Sequence, residues 1–187
     1  MAIDTPLYTA EAICLSTIDY EKDAEIESRW THDSEYLRLV QRDPALPMSP
    51  AQLKKRYEKI EKDADENHNN FYYTIRMKSD ERLVGFAELY WIDWSNGGAG
   101  LRLGIGDPAD RRKGYGKQVL RLLVNIAFNE LNLYRLNATL PEYNTAALAL
   151  FCEHGFVEEV RQREAVNRYG RRWDLLHLGL LREEWQP

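Results

Sequence analysis

Leu101-Arg-Leu-Gly-Ile-Gly-Asp-Pro-Ala-Asp-Arg-Arg-Lys-Gly-Tyr-Gly116 is the stretch on which the reading of this chain turns. It begins as a strand, passes through a basic turn with glycines, and opens the most regular amphipathic segment of the sequence. A turn of this kind presents unpaired backbone N–H groups at a helix start, where the helix dipole adds the equivalent of about half a positive charge. Together they form an anion site. Gly114 and Gly116 carry no Cβ, so a phosphate can approach the main chain. Arg111, Arg112, Lys113 and Lys117 add charge around it. Two other phosphate motifs fail on spacing. Gly104-Ile-Gly-Asp-Pro-Ala109 matches G-x-G-x-x-A by letter, but the helix starts too late for a dinucleotide fingerprint. Gly116-Lys117-Gln118 lacks the Ser or Thr of a P-loop, and position 111 is Arg rather than Gly.

Outward from this stretch, the pattern predicts one mixed α/β sheet flanked by helices, as a single domain over residues 1–187. Glu11–Ile18 reads as a first strand. Asp19 caps a helix over Tyr20–Trp30, a shorter one follows near Ser34–Val40, and Asp43-Pro44 through Pro50 breaks the chain. Ser49 then caps a long helix with Pro50 at its first position. Phe71–Met77, Leu83–Trp94 and Ala99–Ile105 are predicted as an antiparallel meander, with turns at Ser79-Asp80 and Ser95-Asn-Gly-Gly98. Gly114–Leu131 is a helix with an apolar stripe of Val119, Leu122, Leu123, Ile126, Ala127 and Leu131. Tyr134–Leu140 is a strand, Asn144–Glu153 a helix with Gly155 beyond its end, and Phe156–Ala165 with Arg172–Leu180 a closing hairpin around Tyr169-Gly170.

The composition bounds the function. Of 187 residues, 44% are hydrophobic and 29% charged, as in an ordinary globular protein, and no apolar run is long enough for a membrane span. Residues 1–70 hold 15 acids and 9 bases, against 15 acids and 16 bases in residues 71–187. One basic spot (Arg102, Arg111, Arg112, Lys113, Lys117, Arg121) on an acidic protein suits a small phosphate-bearing ligand and no nucleic-acid backbone. Cys14 and Cys152 form no CxxC pair, and the four histidines lack metal-ligand spacing, so no metal is expected. Met1 to Ala10 lacks a basic n-region, which with the cysteine usage points to a cytoplasmic setting. A homodimer is left open.

Arg111-x-x-Gly114-x-Gly116 resembles the Q/R-x-x-G-x-G/A signature of the GNAT family of N-acetyltransferases, with strand before and helix after in the family's order. Asn144-x-x-Ala147 through Gly155-Phe156 resembles the family's later motif. Tyr169-Gly-Arg-Arg-Trp-Asp174 with Glu184-Trp185 is similar to the subgroup of ribosomal-protein N-terminal acetyltransferases and spermidine N-acetyltransferase. The resemblance covers residues 71–185 well and the first 70 only by element order.

The resemblance implies acetyl-CoA as co-substrate, laid between two splayed parallel strands, Leu101–Gly106 and Tyr134–Leu140. The backbone at Gly104, Ile105 and Gly106 would pair with the pantetheine, the amides from Arg111 through Arg112, Lys113, Gly114, Tyr115 and Gly116 to Lys117 would hold the pyrophosphate, and Asn144 would contact the thiol arm. The acceptor would be a primary amine of a small molecule, of polyamine or amine-antibiotic type, attacking directly in a ternary complex. A protein N-terminus or a non-catalytic acetyl-CoA-binding module are the alternatives. Releasing a free amine needs a base or a water relay. Glu88, on the strand Gly85–Trp94 among Phe86, Leu89, Tyr90 and Trp91, is the first candidate, and Glu142, at the end of the next strand, the second; Tyr72, Tyr73, Tyr90, Trp91 and Trp94 crowd the two strands beside the cofactor strand. Family members often place a Tyr seven residues after the Asn to protonate the leaving thiolate; here that position is Phe151, which reads as packing.

Overall fold

The computed structural model describes residues 7–41 and 44–186. Met1 to Pro6, and Asp43 of the break read at Asp43-Pro44, lie outside them. The elements follow in the order β1 (Ile13–Ser16), α1 (Tyr20–Thr31), α2 (Ser34–Val40), α3 (Pro50–Asn67), β2 (Phe71–Met77), β3 (Leu83–Asp93), β4 (Gly98–Ile105), α4 (Tyr115–Asn125), β5 (Arg135–Pro141), α5 (Thr145–Glu153), β6 (Val157–Arg168) and β7 (Arg171–Leu181). Asp19 and Ser49 cap the helices expected to follow them, and Asp33 caps α2 as well. Asp19 accepts from the Lys22 amide and Asp33 from the Glu35 amide. Ser49 and Gln52 form a reciprocal capping box ahead of Pro50.

The strands form one seven-stranded mixed sheet in the order β1-β2-β3-β4-β5-β7-β6. Each neighbouring pair is antiparallel except β4 and β5, which run parallel. The larger core lies on the α4 face, where Val119, Leu120 and Leu123 meet Ala87, Leu89, Leu101 and Leu136. The opposite face carries α1 and α2 through Trp30, Tyr36, Leu37 and Phe86. α3 packs outside α1 through Leu53 and Tyr57 against Ala24.

Two local features differ from expectation, and two glycines find their reason in packing. The helix predicted to Leu131 ends at Asn125 and continues as a π-helical turn, Ile126–Glu130, in which the Leu131 amide donates to the Ile126 carbonyl. Ile126, Ala127 and Phe128 are all buried, and three consecutive core residues need a wider turn than an α-helical stripe allows. On β3, strict alternation would set Ile92 with Glu88 and Tyr90. A bulge between Tyr90 and Asp93 puts Trp91 at φ 51, out in solvent, and sends Ile92 into the core with Leu89. Gly104 and Gly106 sit at no bulge of their own: an added Cβ would lie 2.7 Å from the Phe86 ring at Gly104 and 2.0 Å from the Trp30 ring at Gly106. They are glycines because aromatic side chains of the α1–α2 layer and β3 lie on them.

The tightest backbone approach is at Gly85, where a Cβ would fall 2.1 Å from the Gly104 carbonyl oxygen across the β3–β4 ladder. Gly85→Ala is expected to cost about 2 kcal/mol or more of unfolding free energy in urea titration. Gly98→Ala, with nothing within 4 Å of the new carbon, is expected to stay within about 0.5 kcal/mol of wild type.

Candidate functional site

β4 and β5 pair over three positions only, Gly98 with Arg135, Ala99 with Leu136 and Gly100 with Asn137. Beyond them β4 continues to Ile105 and β5 to Pro141 with no pairing between the two. The strands therefore part, and the main chain of each faces a gap. Asn137 marks the closed end, its side-chain amide donating to the Ala99 carbonyl at 3.5 Å.

At the open end the chain leaves β4 through a 3₁₀ turn, Pro108–Asp110, and enters α4. Gly114 caps α4 at φ 82 with no side-chain hydrogen bond, and a Cβ there would meet nothing within 4 Å. Among the described residues the amides of Gly114, Tyr115, Gly116 and Lys117 donate to no acceptor. A helix start with bare amides and no covering side chain is built to receive an oxyanion.

The basic side chains of the turn divide. Arg111 turns inward: its amide donates to Pro108, Nη2 donates to the Gly106 carbonyl at 2.8 Å and Asp33 at 3.0 Å, and Nε donates to the Ile105 carbonyl at 3.3 Å. It is a clamp between β4 and the start of α2. Lys113 lies 3.5 Å from Asp110, and Lys117 is paired with Glu153. Arg112, at φ 61, is exposed. Beside Lys117 an open groove of about 430 Å³ runs past Arg121 to His154 and Trp185.

The far end of α2 is tied to the other strand. Tyr143 Oη donates to the Arg38 carbonyl at 2.8 Å, and Asn144 Nδ2 donates to the Leu39 carbonyl at 3.2 Å while its Oδ1 caps α5 by accepting from Ala147. So α2 is a crossbar, held at one end to β4 by Arg111 and at the other to the turn after β5. The sequence showed a short helix near Ser34–Val40 but carried no signal for this bridging role.

The two carboxylates read as candidate bases are both engaged. Glu88 is buried on β3; Oε2 accepts from Arg102 Nε on β4 and Oε1 accepts from Asn70 Nδ2 at 2.9 Å. Glu142 accepts from the Asp174 amide at 3.1 Å and lies 3.6 Å from Arg161. Phe151 is in the core, edge-on to Phe156 at 4.9 Å, and has no proton to donate. Reading from the sequence overlooked Glu27, Tyr36 and Arg56, which line a small cavity with Arg102 on the other side of β3 and β4 from α4. The Glu88–Arg102 pair was within reach: a hairpin turning near Ser95 sets those two residues opposite each other.

The turn before α4 is itself held by charge. The Arg82 hydrogen bond to Asp110 is the largest cause of a carboxyl pKa below its ordinary 3.8. A carboxyl with its folded pKa depressed contributes stability above its unfolded value and loses it as pH falls through the folded value. Acidification from about pH 5 to pH 3 is expected to lower the urea midpoint of wild type more than that of Asp110→Asn, whose side chain does not titrate.

The comparisons agree with this geometry. The family model for the acetyltransferase (GNAT) domain matches residues 13–157. The SPbeta prophage-derived uncharacterised N-acetyltransferase YokL of Bacillus subtilis (strain 168) is 30% identical over 112 residues, 60% of this chain and 63% of that protein. The chain thus spans less than two thirds of that relative. An uncharacterised N-acetyltransferase of Bacillus licheniformis, p20, is 26% identical over 179 residues, 96% of this chain and 97% of that one. Among solved structures, the spermidine N-acetyltransferase of Vibrio cholerae in complex with CoA and spermine shares the fold at a TM-score of 0.79 and 20% identity, over 92% of this chain and 96% of that one. A core match that includes the strand gap and the bare helix start shows that the chain belongs to the GNAT family of acetyltransferases.

Proposed function

We propose that the protein is an acetyl-CoA-dependent N-acetyltransferase that acetylates a primary amine of a small molecule, the class that includes polyamines and amine antibiotics. The observation that carries this reading is the parting of β4 and β5 after Gly100 and Asn137, directly before a helix start with four unpartnered amides. An extended amide-bearing arm fits the first, and a pyrophosphate the second. That the Vibrio cholerae fold neighbour is solved in complex with CoA supports a ligand of this kind. Acetyl-CoA supplies a thioester whose carbonyl an amine can attack.

The chain's own residues are assigned as follows. Of Gly104, Ile105 and Gly106, the Ile105 amide is assigned to the pantetheine: the Gly104 carbonyl lies against Gly85 of β3, the Gly106 amide donates to Val84, and Arg111 takes the carbonyls of Ile105 and Gly106. The amides from Gly114 to Lys117, with the charge of Arg112, Lys113 and Lys117, hold the pyrophosphate. Arg111 shapes this site rather than touching the phosphate, because its guanidinium is committed to Ile105, Gly106 and Asp33. Asn144 fixes the start of α5 and the end of α2 beside the gap. A leaving thiol with a pKa of about 8.5 departs as thiolate without a general acid, which accommodates Phe151.

Direct abstraction of the ammonium proton by Glu88 would have to displace Arg102 or Asn70, and by Glu142 the Asp174 amide or Arg161. The proton is therefore assigned to water, and Glu88 to holding Arg102. On that assignment the rate of acetyl transfer climbs with pH toward the amine's own pKa, about 10.4 for an alkyl ammonium. Glu88→Gln is expected to keep the shape of that profile while raising KM. Loss of the acidic limb with a fall of about 10²–10⁴ in turnover would instead make Glu88 the base, and no change in either would leave Glu142 to be tested.

Binding of the co-substrate has its own test. Gly116→Trp places an indole where the phosphate must approach, while the wild-type position has only Leu150 at 3.4 Å and Leu103 at 3.8 Å near a new Cβ. Calorimetry is expected to show acetyl-CoA affinity lost in the folded variant. Unchanged affinity would remove the turn from the site.

A further inference from the structure

We propose that the acceptor is a primary amine that also carries a carboxylate, and that Arg102 receives that carboxylate. This rests on the acetyl-transfer reading above and narrows its substrate class.

The inference begins with how Arg102 is held. It projects from β4 two residues past Gly100, where the strands part, and so stands about 7 Å along the gap from its closed end. Its Nε is paired with the buried carboxylate of Glu88, and its guanidinium lies 5.9 Å from the Phe86 ring centroid and 5.5 Å from that of Tyr90. Both terminal nitrogens lack an acceptor among the described residues. An arginine fixed through Nε with its Nη pair free is a preorganised fork for a carboxylate.

The fork lines a cavity of about 30 Å³ shared with Glu27, Tyr36, Arg56 and Phe86. A water needs roughly 10–15 Å³ measured in this way, so the space suits a group of two or three heavy atoms rather than a whole side chain. Tyr36, 2% exposed, has a buried hydroxyl with no hydrogen-bond partner among the described residues. A buried donor left empty-handed in a polar cavity calls for a ligand. The charge around it is already paired on the acidic side. Glu27 accepts from Tyr57 and lies 3.4 Å from Arg56, and Glu88 is held by Arg102 and Asn70. An acceptor that is only cationic meets no unpaired carboxylate here, whereas an anionic group meets the free Nη pair of Arg102 and the Tyr36 hydroxyl.

The test uses matched pairs, each an amino acid beside the amine left when its carboxylate is removed: phenylalanine with phenethylamine, lysine with cadaverine, histidine with histamine. Thiol release gives kcat/KM, and calorimetry with CoA present gives affinity independently of turnover. The carboxylate member of at least one pair is expected to be favoured by about tenfold or more in wild type. Arg102→Gln is expected to abolish that preference, and Arg102→Lys, which keeps the charge but not the fork, to retain part of it. Should Arg102→Gln not fold, Tyr36→Phe removes the hydroxyl at constant shape and is expected to weaken the carboxylate member alone. Equal or better use of the decarboxylated partners by wild type, or a preference untouched by these variants, overturns the proposal. A calorimetric preference that persists without thiol release from any amine would support the carboxylate site while refuting acetyl transfer, so the two readings fail separately.

Discussion

Two parallel strands that share hydrogen bonds over three residue pairs and then separate impose a debt on the rest of the molecule. The buried main-chain N–H and C=O groups of β4 and β5 that point away from β3 and β7 past that point, every second residue, need partners that the sheet no longer provides. The protein meets part of this need itself. Arg111 takes the carbonyls of Ile105 and Gly106, and Asn137 takes that of Ala99. What is left open between them is an edge that an extended, amide-bearing molecule can complete, as a strand would. The bare start of α4 continues the same logic, since its free amides can be satisfied by water or by an anion but by no side chain nearby.

The gap is stable because α2 bridges it. One turn of hydrogen bonds ties its start, through Asp33 and Arg111, to the end of β4. Tyr143 and Asn144 tie its last carbonyls to the turn after β5. These carbonyls are the acceptors a helix end leaves over, so latching the bridge also satisfies the helix. A seven-residue helix has little stability of its own and depends on such contacts. Because α2 also carries Tyr36, Leu37 and Val40 onto Phe86 and Gly104, the bridge that holds the strands apart forms the wall of the cavity beside Arg102.

That side of the sheet carries ion pairs in which a buried carboxylate holds an arginine that reaches toward the surface, Asp23 with Arg76, Glu27 with Arg56 and Glu88 with Arg102. Such pairs recover their desolvation cost only when both partners are well placed, so their value lies in orientation as much as in stability. Glu88 illustrates the point. As an isolated Glu among aromatic residues it resembles a catalytic base; opposite Arg102 in the sheet it is the residue that aims a guanidinium. Of the exposed tryptophans counted with it in the linear sequence, Trp91 faces solvent because of the bulge after Tyr90, and Trp94 lies in the turn beyond the strand with its indole N–H donating to the His68 carbonyl.

Local signals were enough for the elements and for the bare start of α4. Asp19, Asp33 and Ser49 cap helices because their oxygens reach amides two or three residues on, and Gly114 with Gly116 opens α4 because nothing but glycine leaves that turn bare. Those interactions span few residues, so the order of letters determines them. The parting of β4 from β5, the α2 bridge and the Glu88–Arg102 pair join residues far apart in the chain, and the widened turn at Ile126 and the bulge at Trp91 answer to core packing. Side-chain types alone cannot say which carboxylate will meet which arginine, or which glycine lies under a tryptophan. Only the tertiary structure decided them, because each depends on distances that exist once the sheet has formed.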